Sequence, residues 1–268
     1  MSARTFLPLL SLSSLAAVAY GHSHLEKLWA NDVEYKAWDP NAWFLEGTPY
    51  PDNTPSWYTE NVGGNPLKPV SARTNDIICA KNASPANMSA AAEAGSTLTV
   101  KWYMAGAPFP DSHWGPIIDY IAPCNGPCAD VNPEDLKFVK IAQKGWIDTS
   151  TYPQGFWATN EMIAANGTWD IHIPSGLKAG EYVVRNELIA LHVANTAIGN
   201  GPYYIDGAEF YPQCVSIKVG GSGTKTITGG VGAKELYRGD EPGLAINIHT
   251  TNDHSDYVMP GPALWSGA

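Results

Sequence analysis

Two stretches of this chain, EYVVRNELIALHVA (residues 181–194) and AEFYPQCVSIKV (residues 208–219), constrain its fold more than any other feature. Both are rich in β-branched and aromatic residues. In the second, Val215, Ile217 and Val219 fall on one face, the period-two pattern of a strand. The same alternation places Leu98, Val100 and Trp102 together in STLTVKWYM, and Trp169, Ile171 and Ile173 together in TWDIHIP. Helical signals are few, the best being NPEDLKF, where Asn132 can cap a short turn that opens with Pro133. No internal repeat and no Ser/Thr/Pro-rich linker divides the chain. These patterns predict an all-β protein, an immunoglobulin-like or fibronectin-like β-sandwich with long loops and short helical turns.

The first 21 residues stand apart from this pattern. Arg4, an apolar run from Phe6 to Ala19, and the small residues Ala19 and Gly21 around Tyr20 have the build of a secretory signal. The apolar run falls short of the roughly 20 residues that a membrane span needs. We therefore expect residues 1–21 to be a signal peptide and residues 22–268 to be one secreted domain with no appended binding module. The chain carries 26 acidic against 16 basic residues, a net charge of −10, which argues against nucleic acid and anionic membranes as partners. Its 10 Trp and 13 Tyr suit contact with a neutral polymer instead. Trp38, Trp43, Tyr50, Trp57 and Tyr58 crowd the loop-like segment 35–69, where they either present rings to a sugar surface or cover the sandwich.

Four cysteines in a secreted chain imply two disulfides, with three connectivities open. Cys124 and Cys128 flank a Gly-Pro turn in CNGPC and favour local pairing, which would leave Cys79 and Cys214 to close a long loop. The spacing does not match a zinc site. Asn82 (NAS), Asn87 (NMS) and Asn166 (NGT) are candidate glycosylation sites.

Of the seven histidines, His22 is singled out by the expected cleavage. A new N-terminus there places an α-amino group and an imidazole on one residue. With one further imidazole these make a T-shaped set of three nitrogens suited to copper in a flat, tetragonal geometry. The amine has a pKa of about 8, so a metal displaces its proton at little cost near neutral pH. His24 offers a competing mode, in which the free terminus wraps Cu(II) with amine, two amides and the third-position ring; that mode needs a flexible terminus, and LEKLW looks like a first strand. Glu209 and Tyr211 lie two apart on a strand and so leave one face together, while Phe210 points the other way. A phenol and a carboxyl so placed fit an axial ligand and an outer-shell group.

The segments HSHL, ANDVEYKAWDP, SHWGPIIDYIAPCNGPC, NGTWDIHIP, GEYVVRNELIALHVA, GAEFYPQCVSIKV and YVMPGPALW, in this order, resemble the fungal lytic polysaccharide monooxygenases of auxiliary-activity family nine. The resemblance implies an extracellular, monomeric copper enzyme that oxidises C1 or C4 of β-1,4-glucan chains such as cellulose. It implies oxygen or hydrogen peroxide as co-substrate and an external electron donor that cycles Cu(II) and Cu(I). It further implies a brace formed by His22 and His113, Tyr211 in the axial position, His192 handling protons beside the metal, and Tyr257 packing on the substrate. The implied disulfides are Cys79 with Cys214 and Cys124 with Cys128. Two departures stand out: Glu209 replaces the usual glutamine, and Asn186 in RNE replaces the usual histidine. An amide donates a hydrogen bond in any protonation state, whereas a carboxylate only accepts. Burial would favour a protonated, donating Glu209; a cationic metal and a charged His192 would oppose it. A copper-binding protein with little turnover is thus a rival reading, and a metal-free carbohydrate-binding sandwich is another.

Overall fold

The computed structural model describes residues 23–103, 108–150, 153–194, 207–238 and 241–268; His22 and the expected signal segment lie outside the described residues. Two sheets face each other. The first has four strands in the order β2 (Val33–Lys36), β1 (His24–Ala30), β4 (Thr97–Tyr103), β9 (Thr168–His172). The second has five, in the order β3 (Ala90–Glu93), β11 (Glu209–Gly220), β10 (Gly180–Ala190), β5 (Ile117–Pro123), β6 (Val139–Lys144). Within the second sheet β3 runs parallel to β11 and the other pairings are antiparallel. Strands β7 (Trp146–Asp148) and β8 (Phe156–Trp157) form a separate ribbon.

The alternation read from the sequence decides which residues meet between the sheets. Leu98, Val100 and Trp102 of β4 and Ile171 of β9 pack against Val184, Leu188, Val215 and Ile217 of the five-stranded sheet. Buried apolar area of this kind contributes roughly 25 cal/mol per Å² and supplies the main driving force for closing the sandwich. Strand β10 is buried along nearly its whole length rather than on alternate residues. The reason is a second core on the outer face of the same sheet, where Val183, Ile189 and Phe210 meet Trp57, Leu67, Ile78, Leu136 and Leu236 from the loops. The long loops thus form a third layer.

That layer decides between the two readings of segment 35–69. Trp38 and Trp57 are buried, and Trp38 packs on both Tyr50 and Tyr58, so most of these rings cover the sandwich. Trp43 remains half-buried beside the exposed Phe44. The segment also contains a helix that the sequence reading missed, α1 (Pro40–Glu46). Its signals are local: Asp39 Oδ1 accepts from the Asn41 and Ala42 amides at 2.8 and 3.3 Å, Pro40 opens the first turn, and Gly47 ends it at φ 68°. The expected turn at Asn132 is present as a 3₁₀ turn, with Asn132 Oδ1 accepting from the Glu134 amide at 3.3 Å.

Candidate metal centre

The N-terminal end of β11 carries the site's acidic and phenolic groups. Glu209 and Tyr211 leave one face of the strand, and Phe210 leaves the other, into the outer core. The Tyr211 hydroxyl donates to Glu209 Oε2 at 2.9 Å. Burial, followed by the Glu209 charge and hydrogen bond, holds the Tyr211 phenol well above its ordinary pKa, so it is a protonated donor at neutral pH.

His113 comes from the SHWGP loop, which is fastened to the end of β10. Ile189 and Leu191 amides donate to the carbonyls of Pro116 and Trp114 at 3.0 and 2.8 Å. Gly115 permits this approach: a Cβ there would lie 1.9 Å from the Ile189 carbonyl oxygen. On the other side, the Gly115 amide donates to Thr159 Oγ1 at 3.1 Å, at the start of α2 (Ala158–Ala164). His192 lies two residues past the end of β10, so the fastening brings the two imidazoles together with ring centroids 4.2 Å apart. Phe109, which the sequence reading did not single out, lies edge-on to both His113 and Tyr211, at 5.3 and 5.4 Å.

The carboxylate of Glu209 sits among these groups. Its Oε2 is 3.7 Å from His113 Nε2 and 3.8 Å from His192 Nε2, while Oε1 accepts from Lys68 Nζ at 2.6 Å. Burial alone would raise its pKa. The Lys68 hydrogen bond and charge, with smaller contributions from His192 and Tyr211, outweigh burial and hold it below the usual carboxylate range. Glu209 is therefore an ionised acceptor at neutral pH, and the donor role open to glutamine is closed to it. Lys68 was absent from the sequence reading because NPLKPVSAR carries no periodic signal.

The other departure, Asn186, has a different surrounding. Its side chain accepts from Trp102 Nε1 at 2.7 Å and donates to Asp119 Oδ1 at 2.6 Å, tying the two sheets together inside the core. Trp169 Nε1 completes the arrangement with a 3.1 Å bond to Asp119 Oδ2. Burial nonetheless pushes the Asp119 carboxyl up to about 7.

Tyr257, expected at the substrate surface, is half-buried. Its hydroxyl donates to the Gly243 carbonyl at 2.9 Å, and its ring stands edge-on to Trp157 at 4.9 Å. Trp157 precedes α2, the helix that also ties down the His113 loop, so one element braces both residues. Cys79 is bonded to Cys214 and Cys124 to Cys128. Asn82, Asn87 and Asn166 are all exposed. His24 is buried at the start of β1, 3.5 Å from Asp39; burial lowers its pKa against the opposing charges of Asp39 and Glu26.

The donor set fits copper. One nitrogen from each of His113 and His192 and one oxygen of Glu209 lie within 4.8 Å of one another, in a partly dry setting with a phenol alongside. Imidazole nitrogen is a favoured ligand of copper, and neutral rings need lose no proton to bind it. A β-sandwich with these groups gathered at one strand end has the donor set of a metal-binding site.

The comparisons with known proteins agree. Residues 22–257 match the model of Auxiliary Activity family 9, formerly GH61. The chain is 40% identical over 258 residues to AA9 family lytic polysaccharide monooxygenase A of Talaromyces verruculosus, covering 95% of this chain and 72% of that protein. It is 39% identical over 257 residues to monooxygenase F of Malbranchea cinnamomea, covering 96% of each. Among solved structures, the extended catalytic domain of H. jecorina LPMO9A superposes with a TM-score of 0.80 at 38% identity, over 92% of each chain. The chain belongs to Auxiliary Activity family 9, the lytic polysaccharide monooxygenases, copper-dependent oxidoreductases that use a reductant to cleave polysaccharides oxidatively.

Proposed function

We propose that this protein is a secreted, monomeric enzyme acting on β-1,4-glucan, with cellulose as the first substrate to test and hemicelluloses such as xyloglucan as further ones, and that it oxidises C1, C4 or both. The observation that carries this reading is the convergence of His113, His192, Glu209 and Tyr211 at one end of the β10–β11 pair. Bound copper would supply the one-electron redox chemistry that activates oxygen or hydrogen peroxide once an external donor has reduced it.

The chain's own residues would do the rest. Processing after Gly21 frees the His22 amine, and the family match beginning at residue 22 supports that cut. His22 and His113 would hold the metal, with the Tyr211 phenol beside it. His192 holds a proton beside the site. Glu209, an ionised acceptor, fixes the Tyr211 hydroxyl and sets its Oε2 3.7 Å from His113 Nε2 and 3.8 Å from His192 Nε2. Tyr257 and the exposed Phe44 offer ring surface for a glucan chain. Residues 22–268 act as one domain, with Asn82, Asn87 and Asn166 open to glycosylation.

The test is release of oxidised oligosaccharides from amorphous cellulose by the copper-loaded protein with ascorbate. Products oxidised at C1 or C4 support the reading. Tight uptake of one copper with no release from any β-glucan would replace it with a copper-binding role. The intact mass of the secreted protein tests cleavage before His22 and glycan occupancy.

A further inference from the structure

The loop segment that carries Lys68 is not placed by chance contacts. Leu67 pairs with Phe210 as an antiparallel bridge in which each amide donates to the other's carbonyl at 2.9 Å. An antiparallel pair at 67 and 210 puts residues 68 and 209 opposite each other, with side chains on the same face about 5 Å apart at Cβ. Leu67 and Phe210 turn the other way, into the outer core, and are both buried there. The bridge is backed by Pro69, whose Cγ would lie 2.6 Å from a Cβ added at Gly207. The backbone thus aims Lys68 at Glu209, and the 2.6 Å ion pair follows from that aim.

This arrangement divides the two oxygens of one carboxylate. Oε1 is taken by Lys68, and Oε2 is left to face the Tyr211 hydroxyl, His113 and His192. Lys68 also offsets the negative charge that a glutamate brings to a position where a neutral amide would otherwise stand. We propose that Lys68 is a positioning residue of the metal centre: it fixes the rotation of the Glu209 carboxylate and balances its charge, so that Lys68 and Glu209 together form one neutral unit beside the copper. The inference rests on the copper-centre reading above and deepens it.

Without Lys68, Oε1 loses its strongest donor, the carboxylate is free to rotate, and an unbalanced negative charge faces the metal. That charge favours Cu(II) over Cu(I). The ratio of the two affinities is expected to rise about ten-fold. Lys68 is half-exposed, so its removal leaves the core intact.

The test uses the full secreted protein loaded with one equivalent of Cu(II) and compares wild type, Lys68→Met, Lys68→Arg, Glu209→Gln and the Lys68→Met/Glu209→Gln pair. Stoichiometric copper by native mass spectrometry and a thermal midpoint within about 5 °C of wild type establish that each variant is folded and loaded. The readout is the frozen-solution EPR spectrum of Cu(II), with the reduction potential as a second measurement. The expected result is an altered spectrum in Lys68→Met, a wild-type spectrum in Lys68→Arg, and no further spectral change when Lys68→Met is added to Glu209→Gln. A wild-type spectrum in Lys68→Met overturns the inference, as does an equal change in both glutamate and glutamine backgrounds. Failure of the wild type to take up copper would instead overturn the copper-centre reading itself.

Discussion

Two glutamates of the β10–β11 pair, Glu187 and Glu209, are each paired with a cation and a tyrosine hydroxyl, and the two differ in almost everything else. Glu187 faces the outer core. It accepts two bonds from Arg185, at 2.6 and 2.7 Å, and one from the Tyr237 hydroxyl, which is itself bonded to Tyr120. Arg185 spends its remaining donors on the Ile77 and Ile78 carbonyls, beside the Cys79–Cys214 disulfide. Arg185 and Glu187 both have no solvent exposure. Glu209 lies at the strand's open end, where its cation is a half-exposed lysine and its other neighbours are two imidazoles. A bidentate guanidinium satisfies both carboxylate oxygens and leaves nothing to react. A single lysine satisfies one oxygen and leaves the other available. The first cluster holds loop layer to sheet; the second holds functional groups in place.

The sharpest way to break this contrast is at the sealed cluster. Arg185→Met leaves a buried, unpaired carboxylate and is expected to cost about 3–5 kcal/mol of unfolding free energy in denaturant titrations, on the scale of other broken buried pairs. At the open cluster the large effect falls on binding. His113→Ala should weaken copper uptake beyond the roughly 10–100-fold typical of outer-shell changes, with a thermal midpoint in the metal-free protein close to wild type. Calorimetric copper titration checks the first half of that statement, and a thermal scan of the metal-free protein checks the second.

Asp119 sharpens the comparison with a third, sealed carboxyl that has no cation partner among the described residues. Its folded pKa of about 7 lies above the unfolded value of 3.8, so the folded state binds the extra proton between those limits. Stability from this group is present at low pH and is lost as pH rises through about 7. Asp119→Asn should flatten that decline, so the fall in thermal midpoint from pH 5 to pH 8 shrinks by on the order of 5 °C. The smallest effect belongs to Lys68→Met, expected to change unfolding free energy by about 1 kcal/mol or less, because a partly solvated pair contributes little. A much larger loss would mean that the open cluster is also a structural clamp.

Much of the site was legible because strand geometry is local. The two-residue spacing of Glu209 and Tyr211 fixed their common face, and the placement of Phe210 in the opposite core follows from the same rule. The edge of the reading was reached where no period exists. Segment 35–69 offered aromatic rings without saying which would be buried, and Trp38 and Trp57 went inside because the outer face of the five-stranded sheet needed covering. Helix α1 could have been found from its cap, proline and glycine. Phe109 and Lys68 could not, since nothing near either residue announces its partner.

The sequence by itself determined the strands, their faces, the four cysteines and the residue types able to bind copper. Only the tertiary structure decided that Lys68 meets Glu209 across 141 residues of chain, and that the SHWGP loop lies against the end of β10. The physical reason is that side-chain direction along a strand repeats every two residues and is written locally. Which distant segment pairs with that strand is set by backbone hydrogen bonds and close packing, as at the Leu67–Phe210 bridge and at Gly115 against Ile189, and these exist only once the chain has closed on itself.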